Sequence, residues 1–488
     1  MTFDIFRAKR WWLGWGFLLV LLTCSRQPES QEPVIAHVGQ EIITLSQFRR
    51  FYELDPNFAV DSTGFQALRD ELWNYIDSYL TYLRAQRDGL LQDSLFVRAL
   101  RWEQRQAILR QLYREVVSKQ IQISEDDLRR EYFAANVAVH VKHLFTPDSL
   151  QAGEWYRALL QGASWDSLAR LAFRDTILAR NGGDLGWHKI WDLDEAIGNA
   201  ALTLSLSQIS SPVRSRWGFH IIQLLNRRDQ MVLRESEFNR QKPLLEKRIR
   251  QRRSQEIAHR YIAHYLGTLN PQPVPETFAL MWETMTRQVE SSGTLKAPLL
   301  FTNELIDLLH ARLANHLNDP LIRYRGGTIS LGEFLNAQKK IPVSNRPRFR
   351  TPRQLSNKMG KWVRDEFLLK EAYRKGIENH PRVKREVREF ALEQTYLYYL
   401  KQKYQEVEVP DSVRAFFQHS SAKRNAPVGL RRFHTVNEWR WEQARRRLHR
   451  ELQQQAPPVQ IDRELLRRES KQMDWQRRIR MFVIRQPE

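Results

Sequence analysis

Residues 139–226 read VHVKHLFTPDSLQAGEWYRALLQGASWDSLARLAFRDTILARNGGDLGWHKIWDLDEAIGNAALTLSLSQISSPVRSRWGFHIIQLLN, and the fold turns on this stretch. It opens on a short alternating strand pattern, VHVKHLF, and continues through two helical patterns to the glycine-rich turn Asn181-Gly182-Gly183-Asp184-Leu185-Gly186-Trp187. It closes on a β-rich run, Gly218 to Leu224. Periodicity alone therefore predicts a small α+β domain, a sheet flanked by helices.

Four motifs in that stretch stand in a fixed order: His143-Leu144-Phe145, Gly182 to Trp187 (GGDLGW), Ser210-Ser211-Pro212-Val213, and Gly218 to Ile222 (GFHII). In order and spacing they resemble the parvulin family of peptidyl-prolyl cis/trans isomerases, over roughly a fifth of the chain. The resemblance implies that His143 and His220 face each other across central strands and hold a tautomer network beneath the substrate. It also implies a role for Asp175, seven residues before Gly182, at a position held by Cys or Asp in the family, and for Ser215, the hydroxyl ahead of the final strand. The substrate pocket by the same resemblance comprises Leu193, Ile197, Trp217 and Phe219. Ile197 stands where the family usually has Phe and lacks the aromatic face that packs on a proline ring. Trp217 stands where a small or polar residue is common, and either fills the groove or replaces the missing aromatic.

Rotation about an X-Pro bond faces a barrier of about 18–20 kcal/mol because amide resonance must be broken. No bond is made or cut, so the chemistry needs no metal and no cofactor. It needs an apolar pocket for the ring, a setting that disfavours the planar, charge-separated amide, and hydrogen bonding that favours the twisted one.

The chain has 488 residues, 42% of them hydrophobic and 27% charged, which predicts several globular domains and excludes wholesale disorder. Arg7, Lys9 and Arg10 precede an apolar run from Trp11 to Leu22, too short for a confident bilayer span and typical of a secretory signal. Leu21-Leu22-Thr23-Cys24 resembles a bacterial lipobox, with Thr23 a departure from the usual small residue, so residues 1–24 are expected to be a lipoprotein signal with Cys24 lipidated. Cys24 is the sole cysteine, which excludes an intrachain disulfide and a cysteine-based metal or nucleophile site in the mature body. Ser25 follows it, so resemblance to enterobacterial lipoproteins gives the periplasmic face of the outer membrane as the expected address.

The formal charge of +21 suits anionic partners. Arg431-Arg432-Phe433-His434 through Trp439-Arg440-Trp441 interleaves aromatics with arginines as nucleic-acid binders do, but the export signal argues against nucleic acid and for acidic client segments or an anionic lipid surface.

Outside the α+β domain the reading is helical, and it repeats. Glu41 to Phe48 is echoed by Gly327 to Phe334, Tyr82 to Gly89 by Leu369 to Gly376, and Ile121 to Glu125 by Val407 to Asp411, at a nearly constant offset along the chain. The repeated module resembles the helical chaperone region of SurA-like and PrsA-like foldases. The expected organisation is a helical module at 34–135, the parvulin-type domain at 138–228, a charged linking helix at 233–268, a second helical module at 276–420 and a basic helical tail at 421–488. A proline-rich spacer at Asn270 to Pro275 is expected to mark a domain boundary. The fold class is multidomain and mainly α with one α+β domain. The expected function is an exported, membrane-anchored foldase that isomerises X-Pro bonds in unfolded or nascent secreted or outer-membrane proteins; the alternative is a non-catalytic periplasmic holdase that uses a degenerate parvulin domain for binding.

Overall fold

In a computed structural model, residues 32–473 are described, apart from 56–57, 60–62, 174–175, 216, 230–234, 292–297, 419–429 and 431–432. The signal segment with Cys24 lies outside the described residues, as does Asp175. Among the described residues no helix is long and apolar enough to cross a membrane.

In chain order, β1 (Val34–Val38) and β2 (Glu41–Thr44) lead into α1 (Leu45–Leu54), α2 (Gly64–Arg87), α3 (Ser94–Val116) and α4 (Glu125–Ala135). The α+β segment follows as β3 (Val137–Thr146), α5 (Ser149–Leu160), α6 (Trp165–Ala172), α7 (Thr176–Arg180), β4 (Asp184–Lys189), α8 (Glu195–Thr203), β5 (Val213–Arg214) and β6 (Phe219–Asp229). Next come α9 (Glu235–Leu269), β7 (Gln272–Pro273), α10 (Pro275–Ser291), β8 (Leu299–Leu300), α11 (Asn303–Arg312), β9 (Pro320–Tyr324) and β10 (Gly327–Ser330). The chain ends through α12 (Leu331–Lys340), β11 (Arg348–Phe349), α13 (Pro352–Arg374), α14 (Pro381–Glu406), α15 (Asp411–Gln418), α16 (Val436–Gln455), β12 (Val459–Ile461) and α17 (Arg463–Gln472).

Residues 1–100 and 388–488 make one compact unit and residues 101–387 the other. In the first unit, Thr44 and Gln47 close a capping box at the start of α1, and α2 turns Leu68, Leu72, Tyr75, Ile76 and Tyr79 into the core at helical spacing. Residues 421–488, expected as a basic tail, supply part of that core. Ala444, Leu448 and Leu452 of α16 and Leu466 of α17 are buried in it, and β12 extends the hairpin to a three-stranded sheet ordered β12-β1-β2. Glu469 of α17 accepts hydrogen bonds from Arg49 and from the Tyr52 hydroxyl, the latter at 2.6 Å.

In the second unit, α10 to α13 enclose a core of Met281, Met285, Phe301, Phe334 and Phe349. The proline-rich run at 270–275 is not a spacer between domains: it lies inside this unit, where β7 pairs with β9 through Gln272↔Arg323 and Pro273↔Ile322. Proline is tolerated there because β7 is an edge strand of the sheet β10-β9-β7, and an edge residue need not donate. In α3 Leu95 is 68% exposed, and the helix buries Ala107, Ile108 and Leu112 further along.

The α+β segment is a four-stranded antiparallel sheet ordered β4-β3-β6-β5. Alternation along β3 and β6 divides the apolar residues between two faces. Leu144 and Ile221 pack on Trp155, Trp165 and Leu168 of α5 and α6, while Val139, Val141, Ile222 and Leu224 pack on Ile197 and Ala201 of α8.

Candidate functional site

The site is built where the two central strands run side by side, with His143 paired to Ile222 and Phe145 to His220. That register puts both imidazoles on the sheet face shared with α8. Two tight turns hold them. In the turn before β4, the His143 N–H donates to the Gly183 carbonyl at 3.0 Å. Gly183 has φ +72°, and a Cβ there would sit 2.1 Å from the His143 carbonyl oxygen and 2.9 Å from the Phe173 ring, so the turn requires glycine. In the turn between β5 and β6, the Ser215 N–H donates to the Gly218 carbonyl at 2.8 Å, and Gly218 has φ +152° with no room for a Cβ beside the Thr146 carbonyl. This reversal brings Ser215 back over the strand it precedes.

The result is a line of three polar groups. Ser215 Oγ lies 2.8 Å from His220 Nε2, and His220 Nδ1 lies 3.3 Å from His143 Nδ1, with the two rings stacked at an interplanar angle of 12°. The Trp217 N–H donates to Ser215 Oγ at 3.1 Å and fixes the hydroxyl. An Nδ1-to-Nδ1 contact needs one ring to donate and the other to accept, so the two imidazoles hold complementary tautomers. Phe173 stands 5.2 Å from His143 and Phe145 stands 5.0 Å from His220, ring to ring, and close the line at both ends with apolar surface.

Burial lowers the pKa of His143 to about 4, with the neighbouring His220 adding to the effect. Burial also lowers that of His220, partly opposed by the Asp194 carboxylate. Both rings are therefore neutral near pH 7. A neutral, desolvated pair can hold hydrogen-bond direction without placing a charge beneath a bound amide.

The structure brings His143, Ser215 and His220 together. It does not bring all the pocket candidates to them. Ile197 is 6% exposed and packs within the core beneath the sheet, on the dyad's face. Leu193 packs partly on the same cluster and lines a cavity of about 680 Å³ bounded by α4, α8 and α9, beside Trp191 and Arg248. Alternation along β6 turns Phe219 with Ile221 toward the face of α5 and α6, away from His220. Trp217 is 65% exposed. Phe145 and Phe173 line the dyad instead. Phe145 lay within the His143-Leu144-Phe145 motif, two residues from His143, a same-face spacing on a strand; Phe173 carried no signal, because only the fold brings the end of α6 to β3.

Known proteins resemble parts of this chain. Residues 149–226 match the Rotamase family, described as a PPIC-type PPIASE domain. A chaperone SurA of Thiobacillus denitrificans is 41% identical over 95 residues, which cover 20% of this chain and 21% of that protein. A chaperone SurA of Chromohalobacter salexigens is 29% identical over 160 residues, 29% of this chain and 37% of that protein, and a foldase protein PrsA of Bacillus subtilis is 28% identical over 113 residues, 23% and 38% respectively. The chain thus spans well under half the length of these relatives. Among solved structures, peptidylprolyl isomerase (PrsA) from Bacillus anthracis is similar over 38% of this chain and 88% of that one, at 21% identity and a TM-score of 0.22. The α+β segment is a parvulin-type domain, carried on a mainly helical chain.

Proposed function

We propose that the protein is a peptidyl-prolyl cis/trans isomerase and foldase that acts outside the cytoplasm on X-Pro bonds of unfolded exported proteins. The observation that carries this reading is the hydrogen-bonded line Ser215–His220–His143, neutral and closed between Phe145 and Phe173. A proline seated over that face meets apolar rings. A buried, uncharged site favours the twisted amide, whose charge separation is reduced, over the planar one, and each 1.36 kcal/mol of that preference is about tenfold in rate. In this proposal His143 and His220 are held as a pair, Ser215 fixes the tautomer of His220, and Asp175 belongs to the same site. The relatives named chaperone SurA and foldase protein PrsA support the foldase role, and the sequence pattern ending at Cys24 supports export and a lipid anchor.

A second reading, a holdase without catalysis, is favoured by Ile197, which lies in the core where an aromatic pocket wall would be needed, and by the exposure of Trp217. The test is cis/trans exchange of short X-Pro peptides by the full chain beside its His220→Ala and Ser215→Ala variants. Acceleration by the parent that drops at least tenfold in His220→Ala supports the enzyme. No acceleration, with aggregation of an unfolded client still suppressed equally by parent and variant, leaves the holdase.

A further inference from the structure

The repeat legible in the sequence extends into the structure with more than helices in common. The capping box Thr44–Gln47 at α1 recurs as Ser330–Glu333 at α12, both members displaced along the chain by the same step. The short helical turn between α2 and α3 is preceded by Gly89 at φ +73°, and the one between α13 and α14 by Gly376 at φ +69°. The hairpin β1–β2 corresponds to β9–β10, and α4 to α15, which start at Glu125 and Asp411.

The partners of these matched elements show a further symmetry. The β1 strand does not pair with the strand that follows its own module; it pairs with β12, from the far end of the chain, through Ala36↔Ile461. The matching strand β9 pairs with β7, which comes from the first half, through Pro273↔Ile322. The step from Ala36 to Ile322 is the one that carries Thr44 to Ser330, so the two hairpin residues are equivalent. A second step, shorter than the first, carries Pro273 to Ile461. The next backbone bond repeats with the same two steps: Asp462 N–H to Ile35 O at 3.0 Å, and Val274 N–H to Leu321 O at 2.9 Å. The helices that follow, α10 and α17, start at Pro275 and Arg463, again related by the shorter step. So α9–β7–α10 corresponds to α16–β12–α17, and each sits on the other half's hairpin.

The third helix of each module is exchanged in the same sense. The buried face of α3, from the first half, meets Leu369 and Ala372 of α13 in the second. The buried face of α14, from the second half, carries Leu392, Tyr399 and Leu400 into the core of α1 and α2, where the Tyr399 hydroxyl donates to Asp88 at 2.7 Å. Every exchange has its reciprocal.

We infer that the chain is a fused pair: a tandem duplication of one unit, helical module, junction, then helix–strand–helix arm, whose two copies have exchanged their third helices and their arms. Each compact unit is then assembled from both copies, and the single chain is its own partner. The parvulin-type domain is an insertion between Ala135, where α4 ends, and Glu235, where α9 starts. In the second copy the equivalent junction runs only from Gln418 to Val436, too short to hold such a domain, and this difference is why the step between the arms is the shorter one. One parvulin-type domain therefore serves two copies of the helical scaffold.

The experiment is to place a specific protease site between Gly293 and Thr294, in the segment that joins the copies, and to cut the folded full-length protein. The pieces are expected to co-elute in native size-exclusion chromatography, to separate only in denaturant, and to unfold at a temperature that rises with protein concentration, which the uncut chain does not show. Separation of the pieces after cutting without denaturant, whether as folded species or as aggregate, would overturn the inference.

Discussion

The two histidines are set by burial more than by charge, and this gives their pH behaviour a definite sign. The folded pKa of His143, about 4, is depressed from the ordinary value of about 6.5. Between those values the unfolded chain takes up a proton that the folded one refuses. Stability is therefore complete above about pH 6.5 and declines as the pH falls toward 4, by up to about 3 kcal/mol. Thermal unfolding of the full chain at stepped pH checks this, and His143→Phe is expected to flatten the decline over that window. Ser215→Ala removes the bond to His220 Nε2. It is expected to cost about 1 kcal/mol in stability but roughly tenfold in isomerisation rate, which separates positioning from folding. Gly183→Ala drives a methyl against the His143 carbonyl and forces a positive φ on alanine. A loss of more than about 2 kcal/mol in the domain's unfolding free energy is expected.

Among the elements, what could be read from sequence was whatever local chemistry dictates. Ser124 and Asp127 form the capping box that their spacing implies, and Leu68, Leu72 and Ile76 lie on the buried face of α2 as their period requires. His143 and His220 were legible because strand motifs carry them. The exchanged arms were not, because β7 and β12 are two or three residues long and owe their existence to a partner strand remote in sequence. Gln272-Pro273 reads as a loop until β9 is beside it. Motif membership does not tell which face of a strand a residue takes, and alternation along β6 puts Phe219 on the face opposite His220. A buried pair in the first unit tests the exchanged packing from the other side. His449 of α16 sits 2.8 Å from Asp77 of α2, whose side chain is 3% exposed. His449→Ala leaves that carboxylate buried without its ring partner, and a loss of about 2 kcal/mol in chemical denaturation is expected.

Over the whole molecule, a strongly basic chain carries one parvulin-type domain on a helical frame more than twice its size. With a net charge of +21, the proposed client capture is expected to be electrostatic in part. Suppression of aggregation of an acidic unfolded client is expected to weaken as salt rises from roughly 0.05 to 0.5 M, since the screening length shrinks severalfold over that range. Isomerisation of a short uncharged peptide is expected to change little under the same titration, because the rings that line the site are neutral. The most direct test of the central claim, that a neutral buried histidine pair supports X-Pro isomerisation, is the pH–rate profile of the full chain on such a peptide. The rate is expected to hold level from pH 8 through 6.5, the ordinary histidine value, and to fall only below it, toward pH 4 where His143 takes up its proton. A fall centred near pH 6.5, or no acceleration at any pH from a folded chain, would contradict it.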